Sequence, residues 1–198
     1  MDGVVDADTH IAESDSMWNL MDESMHRRRP VMVSLPGDTL YRDFNALWLI
    51  DGNIFPKAAG KGGFRLITPA VSMRETGRSD IHRASREISD VGARLADMDR
   101  AGVAVQVIYP TLFLIQVTED SSLEAALCGA YNKYLAQVYH AGKGRLRWVA
   151  VLPLHCLDKS IEQMHEARQN GAVGLFFSGI VGSSHAPTST AMPTGGNR

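Results

Sequence analysis

Repeated β/α crossover around a parallel sheet is the fold class that this sequence predicts. Three observations carry the prediction: four short apolar runs, amphipathic segments between them, and glycine or proline at the junctions. Runs as apolar as 103–109 (VAVQVIY) and 172–177 (AVGLFF) are typical of strands covered on both faces, the usual condition of a parallel sheet.

Each element has its own justification. Residues 3–8 (GVVDAD) place two β-branched residues at the start of an expected first strand. The second strand is expected over 103–109 and ends at Pro110. The third is expected over 147–152 (RWVAVL), ending at Pro153, and the fourth over 172–177. A helix over 89–101 carries Val91, Leu95 and Met98 on one face, with Gly102 placed to end it. The next, over 122–141, has Ser121 and Glu124 at capping-box spacing. Its apolar residues Leu123, Leu127, Ala130, Tyr134 and Val138 recur every three or four positions, and Gly142 follows. A third helix over 158–170 starts at Asp158, turns Ile161 and Met164 inward and stops at Gly171. From residue 89 the order is α-β-α-β-α-β, the rhythm of right-handed crossover units.

Two regions depart from that rhythm. Residues 24–88 form an insertion with alternating segments around Leu40–Ile50 and Phe64–Ile67, linked through AAGKGG. It is read as a β-hairpin or an excursion over the sheet. Residues 182–198 are rich in Gly, Ser, Thr and Pro with nothing periodic to bury, and are expected to be a disordered tail. Residues 1–181 are then the folded domain, and 198 residues in all fit about one domain.

Composition narrows the function classes. With 44% hydrophobic and 21% charged residues, disorder over the whole length is excluded. A net charge of −2 argues against a nucleic-acid or polybasic membrane surface. The longest apolar stretch, Val103–Val117, is broken by Gln106, Pro110 and Gln116 and falls short of a membrane span. The opening MDGVVDAD is acidic where a signal peptide is basic, and Cys128 and Cys156 define no disulfide framework. The expectation is a soluble, cytoplasmic protein.

The sharpest chemical signal is Asp6-Ala7-Asp8-Thr9-His10, with Glu13 just beyond. Side chains alternate along a strand, so Asp6, Asp8 and His10 are expected on one face. Asp8 and His10 are separated by about 7 Å of backbone, a gap that two converging side chains can close on one divalent cation. A carboxylate with an imidazole suits zinc, manganese or iron. The pair also falls at the C-terminal end of a strand, where parallel α/β folds place their sites. His155, just past the third strand, is a weaker candidate ligand, and His185 in the tail weaker still.

Other signals are set aside. Gly60-Lys61-Gly62-Gly63 fails the phosphate-loop pattern, which needs glycine at 55 and Ser or Thr at 62, where Phe55 and Gly62 stand. No dinucleotide fingerprint follows a strand. Arg27-Arg28-Arg29 reads as a solvated helix end. His155 and Cys156 are adjacent on an extended segment and point apart. Ser183-Ser184-His185 has no oriented acid.

The whole pattern resembles the amidohydrolase-related metal-dependent proteins. DADTHIAE followed by MWNLMD looks like their opening, in the branch that contains aminocarboxymuconate-semialdehyde decarboxylase and γ-resorcylate decarboxylase. Residues 93–111 (ARLADMDRAGVAVQVIYPT), 131–155 (YNKYLAQVYHAGKGRLRWVAVLPLH) and 167–177 (ARQNGAVGLFF) look like its next β/α units, in the correct order. The resemblance implies a partial (β/α)8 TIM barrel of about four β/α units, with the insertion after strand one. It implies Asp8 and His10 as metal ligands, a single zinc or manganese ion and a small-molecule carboxylate substrate. It also implies loss of CO2 without an organic cofactor. Hydrolysis of an amide, ester or lactone on the same ligands is the alternative.

The length departs from the family. A full barrel takes about 250 residues, whereas only 21 residues follow Phe177. The family's later His ligand, catalytic His and late Asp have no matching positions. The chain therefore looks like the first half of such a barrel, with catalytic residues unassigned and a catalytically silent truncated barrel as a further reading. Open strand edges predict self-association.

Overall fold

The computed structural model describes residues 3–34, 46–55, 69 and 81–177. In chain order the strands are β1 Val4–His10, β2 Val31–Ser34, β3 Ala46–Ile50, β4 Asn53–Phe55, β5 Val103–Tyr109, β6 Leu146–Val151 and β7 Ala172–Phe176. The helices are α1 Asp15–Trp18, α2 Arg83–Arg86, α3 Val91–Arg100, α4 Ser121–Ala141 and α5 Leu157–Gln169.

Four of the strands form one parallel sheet in the order β1-β5-β6-β7. Its members are the four expected strands, and β5 has the expected bounds. The helices α3, α4 and α5 are the three expected crossover helices. On α4, Leu123, Leu127, Ala130, Tyr134 and Val138 are all buried, as their spacing predicts. Gly102 ends α3 in the left-handed region, at φ +68°. Gly142 is different: its φ is −77°. A Cβ there would approach Leu146 Cβ to 2.8 Å, so glycine is needed for close packing of α4 on β6.

Local details at three helix starts and faces correct the sequence reading. Asp120, not Ser121, caps α4, with Oδ1 accepting from Leu123 N–H at 2.9 Å. Its other oxygen accepts from Arg28 at 2.9 Å, so Arg28 is an ion-pair partner rather than a free helix end. On α5 the helix begins at Leu157, after Cys156, without a side-chain cap from Asp158. Ile161 is not inward: it is 53% exposed. The buried positions of α5 are Ser160, Gln163 and Ala167. Polar bonds hold them there, Ser160 Oγ donating to Pro153 O at 2.6 Å and Gln163 Nε2 to Ala125 O at 2.9 Å. Met164 is only half-buried.

Part of the insertion forms a second, antiparallel sheet, β2-β3-β4. The β3–β4 hairpin turns on Asp51 and Gly52, both at positive φ (50° and 74°). That is the two-residue turn whose twist suits a hairpin. Trp48 from this sheet meets Trp18 edge-on at 6.0 Å, joining the insertion to the main core. Residues 35–45, the AAGKGG link, the Phe64–Ile67 segment and the 182–198 tail lie outside the described residues.

The core lies between the parallel sheet and its helices, around Met98, Ile108, Tyr131 and Trp148. The two outer strands, β1 and β7, leave Val4, Val5, Val173 and Leu175 between 40% and 61% exposed. Among the described residues no helix is long and apolar enough to cross a membrane.

Candidate metal site at the end of the first strand

The geometry of the site begins with an irregularity in β1. Asp6 pairs with Gln106, but the next pair is Thr9 with Ile108, so β1 holds one extra residue across that step. A bulge of this kind reverses which face the following side chains take. Asp6 and Thr9 thereby share the helix-covered face. There Asp6 accepts from the Thr9 hydroxyl and from Gln106 Nε2, the latter at 3.1 Å. Gln106 in turn accepts from the buried Arg94 of α3 at 2.8 Å. These bonds, the Thr9 hydroxyl foremost, hold the Asp6 carboxyl below its ordinary range. The expected triplet of Asp6, Asp8 and His10 on one face is therefore corrected: Asp6 leaves it.

Asp8 and His10 stay together. Asp8 Oδ1 lies 3.4 Å from His10 Nε2. The Asp8 side chain is 86% exposed and that of His10 31%, so the pair is open to solutes. His10 Nδ1 is 2.7 Å from the carbonyl oxygen of Pro110. That acceptor requires the proton on Nδ1 and leaves the Nε2 lone pair directed to the Asp8 side. Metal-binding histidines are oriented in this way, through their second nitrogen. Two donors bound to one ion at ~2.1 Å and a tetrahedral angle stand ~3.4 Å apart. The observed spacing meets that requirement.

The flanking loops are stitched to each other. Ile11 N donates to Tyr109 O at 3.0 Å and Thr111 Oγ1 to Ile11 O at 2.5 Å. Glu13 is buried, and its Oε1 accepts from Thr111 N at 2.7 Å and Leu112 N at 2.9 Å. Burial outweighs these two bonds and pushes the Glu13 carboxyl up to about 7. Sequence reasoning noted Glu13 only as an acid near the motif. Its distance of three residues from His10, at the mouth of a parallel strand, was the available signal. An aromatic wall completes the surroundings. The His10 and Tyr109 rings are 6.1 Å apart, and Tyr109 meets Phe176 edge-on at 6.4 Å.

His155 does not join this pair. It faces Glu124, whose Oε2 is 3.0 Å from His155 Nδ1. Among the described residues no third His, Cys, Asp or Glu completes a ligand cluster with Asp8 and His10. The donors present thus fit two of the three protein ligands of a catalytic zinc. His185 lies outside the described residues.

Comparison with known proteins places the fold. No protein-family model and no curated protein matches the sequence. Among solved structures, an amidohydrolase from Mycobacterium avium subsp. paratuberculosis K-10 is similar, with a TM-score of 0.59 and 21% identity. The match covers 86% of this chain and 47% of that one. A 2,6-dihydroxybenzoate decarboxylase complexed with 2,6-dihydroxybenzoate matches with a TM-score of 0.50 and 16% identity, over 95% of this chain and 42% of that one. A 2,6-dihydroxybenzoate decarboxylase from Rhizobium matches at 0.50 and 17%, with the same coverage. The chain spans a little under half the length of the structures it matches. Its four β/α units are a portion of the barrel fold of these structures.

Proposed function

We propose that this chain is the metal-holding portion of a metal-dependent amidohydrolase-type enzyme, and that its reaction is non-oxidative decarboxylation of a small carboxylate. One observation carries the reading: His10, with Nδ1 tied to Pro110 O, presents Nε2 at 3.4 Å from Asp8 Oδ1. Solved structures of the same fold that are named as an amidohydrolase and as decarboxylases support it.

Asp8 and His10 are the residues that would hold the cation, zinc or manganese by the donor chemistry. A bound divalent ion supplies positive charge that orients a carboxylate or polarises a water. The remaining work belongs to the chain. Pro110 O sets the His10 tautomer. Glu13 and Thr111 hold the strand end that carries the pair. Tyr109 and Phe176 form an apolar side to the mouth, which disfavours water there and suits the uncharged part of a substrate.

A surface that closes the sheet would bring the third ligand that the described residues lack. The open edges of β1 and β7 favour such a cover, and a second copy of the chain is one source of it. Hydrolysis of an amide, ester or lactone is the second reading, favoured by the amidohydrolase among the similar structures.

The test is metal analysis after loading with zinc or manganese and gel filtration. Bound metal is expected in the parent protein and its loss in both Asp8→Ala and His10→Ala. Equal metal in all three proteins, or none in any, overturns the reading. CO2 release against product titration on amide, ester and lactone substrates then separates lyase from hydrolase.

A further inference from the structure

The parallel sheet ends in two unlike edges. In the order β1-β5-β6-β7, the strands β1 and β7 each have one neighbour, and among the described residues no strand pairs with their outer sides. All four strands run in one direction. A second copy can therefore set its β1 beside β7 in the same parallel sense, and its β7 beside β1. Two such joints close a ring and leave no edge open. The strand number agrees, since eight parallel strands make a barrel and one chain brings four. So does the extent of the similarity, because the match covers 42% to 47% of the barrel structures compared above.

The inner face of the sheet fits the same cover. Gln106 faces Arg94 of α3, so its neighbours Val105 and Val107 turn to the opposite face, where Val5 pairs with Val105. Val5 is 58% exposed, and Val105 and Val107 are only half-buried. His10, Tyr109 and Phe176 continue this face at the mouth. The interior of an eight-stranded barrel is just wide enough for side chains to fill it, so a second half would bury these valines against its own. Closure also completes the metal pair. In a two-fold ring of eight strands, β1 of one copy stands opposite β1 of the other. The Asp8–His10 pair then faces the second copy's Asp8–His10 pair across the mouth. Two carboxylates and two imidazoles are a full ligand set for one zinc ion, and the carboxylates balance its charge. Zinc admits a fifth ligand, which leaves a place for a substrate oxygen.

We propose that two copies of this chain close one eight-stranded barrel and hold a single divalent ion between their two Asp8–His10 pairs. This rests on the metal role proposed above for Asp8 and His10, and it names the partner that brings the further donors.

Sedimentation equilibrium and metal analysis of zinc-loaded protein are the test. A species of twice the 21.6 kDa chain mass is expected, with one zinc per two chains. Chelation is expected to weaken the dimer at least ~10-fold, and His10→Ala to abolish that difference. Val5→Lys and Val173→Lys are each expected to give monomers. Val5→Lys combined with Val173→Glu in one chain is expected to restore the dimer, because the joint sets β1 against β7. One zinc per chain, in a monomer or a dimer, overturns the proposal and leaves the metal role of Asp8 and His10 standing. No zinc at all overturns both. A monomeric parent protein, or a double variant that stays monomeric, overturns the joint between β1 and β7.

Discussion

His10 Nδ1 sits 2.7 Å from the carbonyl oxygen of Pro110, one hundred residues away in sequence and one strand away in space. The contact joins the end of β1 to the end of β5. It frees the opposite ring nitrogen for Asp8, so a single backbone acceptor sets the chemistry of the pair.

This relationship separates structure from ligation in one residue. In His10→Asn the amide nitrogen takes the place of Nδ1 and keeps the Pro110 bond, but nothing replaces Nε2. Unfolding free energy is expected to stay within ~0.5 kcal/mol of the parent, while zinc affinity falls at least ~100-fold. Denaturant unfolding and metal titration of the same preparation check both parts.

The buried Glu13 makes stability depend on pH. Its folded pKa is raised to about 7 from an ordinary 4.5. Between those values the folded state holds a proton that the unfolded state has released. The contribution of Glu13 to stability is therefore greatest below about pH 4.5, falls as pH rises to about 7, and levels off above, a total loss of about 3 kcal/mol from this group. Glu13→Gln keeps an acceptor for Thr111 and Leu112 and cannot ionise. Its unfolding free energy is expected to lack this slope, so that it gains on the parent between pH 5 and 8. Parallel urea titrations at those pH values are the measurement.

Gly171 closes α5 at φ +87°, and a Cβ there would run into the Tyr139 ring. Gly171→Ala is expected to cost more than ~2 kcal/mol, through backbone strain and displacement of that ring. Gly102→Ala, at φ +68° with open space around it, is expected to cost only ~1 kcal/mol. Thermal unfolding of the two variants side by side tests the difference.

The exposed apolar residues of the sheet edges predict association. The 21.6 kDa chain is expected to sediment above its monomer mass at micromolar concentration. Val173→Lys on the β7 edge is expected to shift it toward monomer, because a charged edge resists pairing. A parent protein that sediments as a monomer at ~100 μM would contradict the prediction.

Much of this fold was legible because local rules and tertiary demands agree. The run VAVQVIY forms β5 over its expected span, and the apolar repeat of α4 is its buried face. Legibility failed where a distant partner decided the outcome. Ile161 faces outward since α5 docks through Ser160 and Gln163, whose acceptors are carbonyls on other segments. The β3–β4 turn carries its own local signal, Asp51-Gly52, a two-residue hairpin sequence between apolar runs. At the site, spacing alone brought Asp8 and His10 together. It also put Asp6 with them, because alternation assumes an unbroken ladder. The partner of His155 was out of reach, since Glu124 is distant in the chain and had an equally good local reading as a helix cap.

The bulge in β1 makes the carboxylate of the pair a matter of counting backward from His10. Removing Ala7 would leave Asp8 two residues before His10 but draw Asp6 one place along the strand, away from Gln106 and Arg94, whereas replacing Ala7 by another small residue would disturb neither. A change of length here parts the acid that faces α3 from the acid beside His10, so the length of this short stretch is under a tighter constraint than its composition.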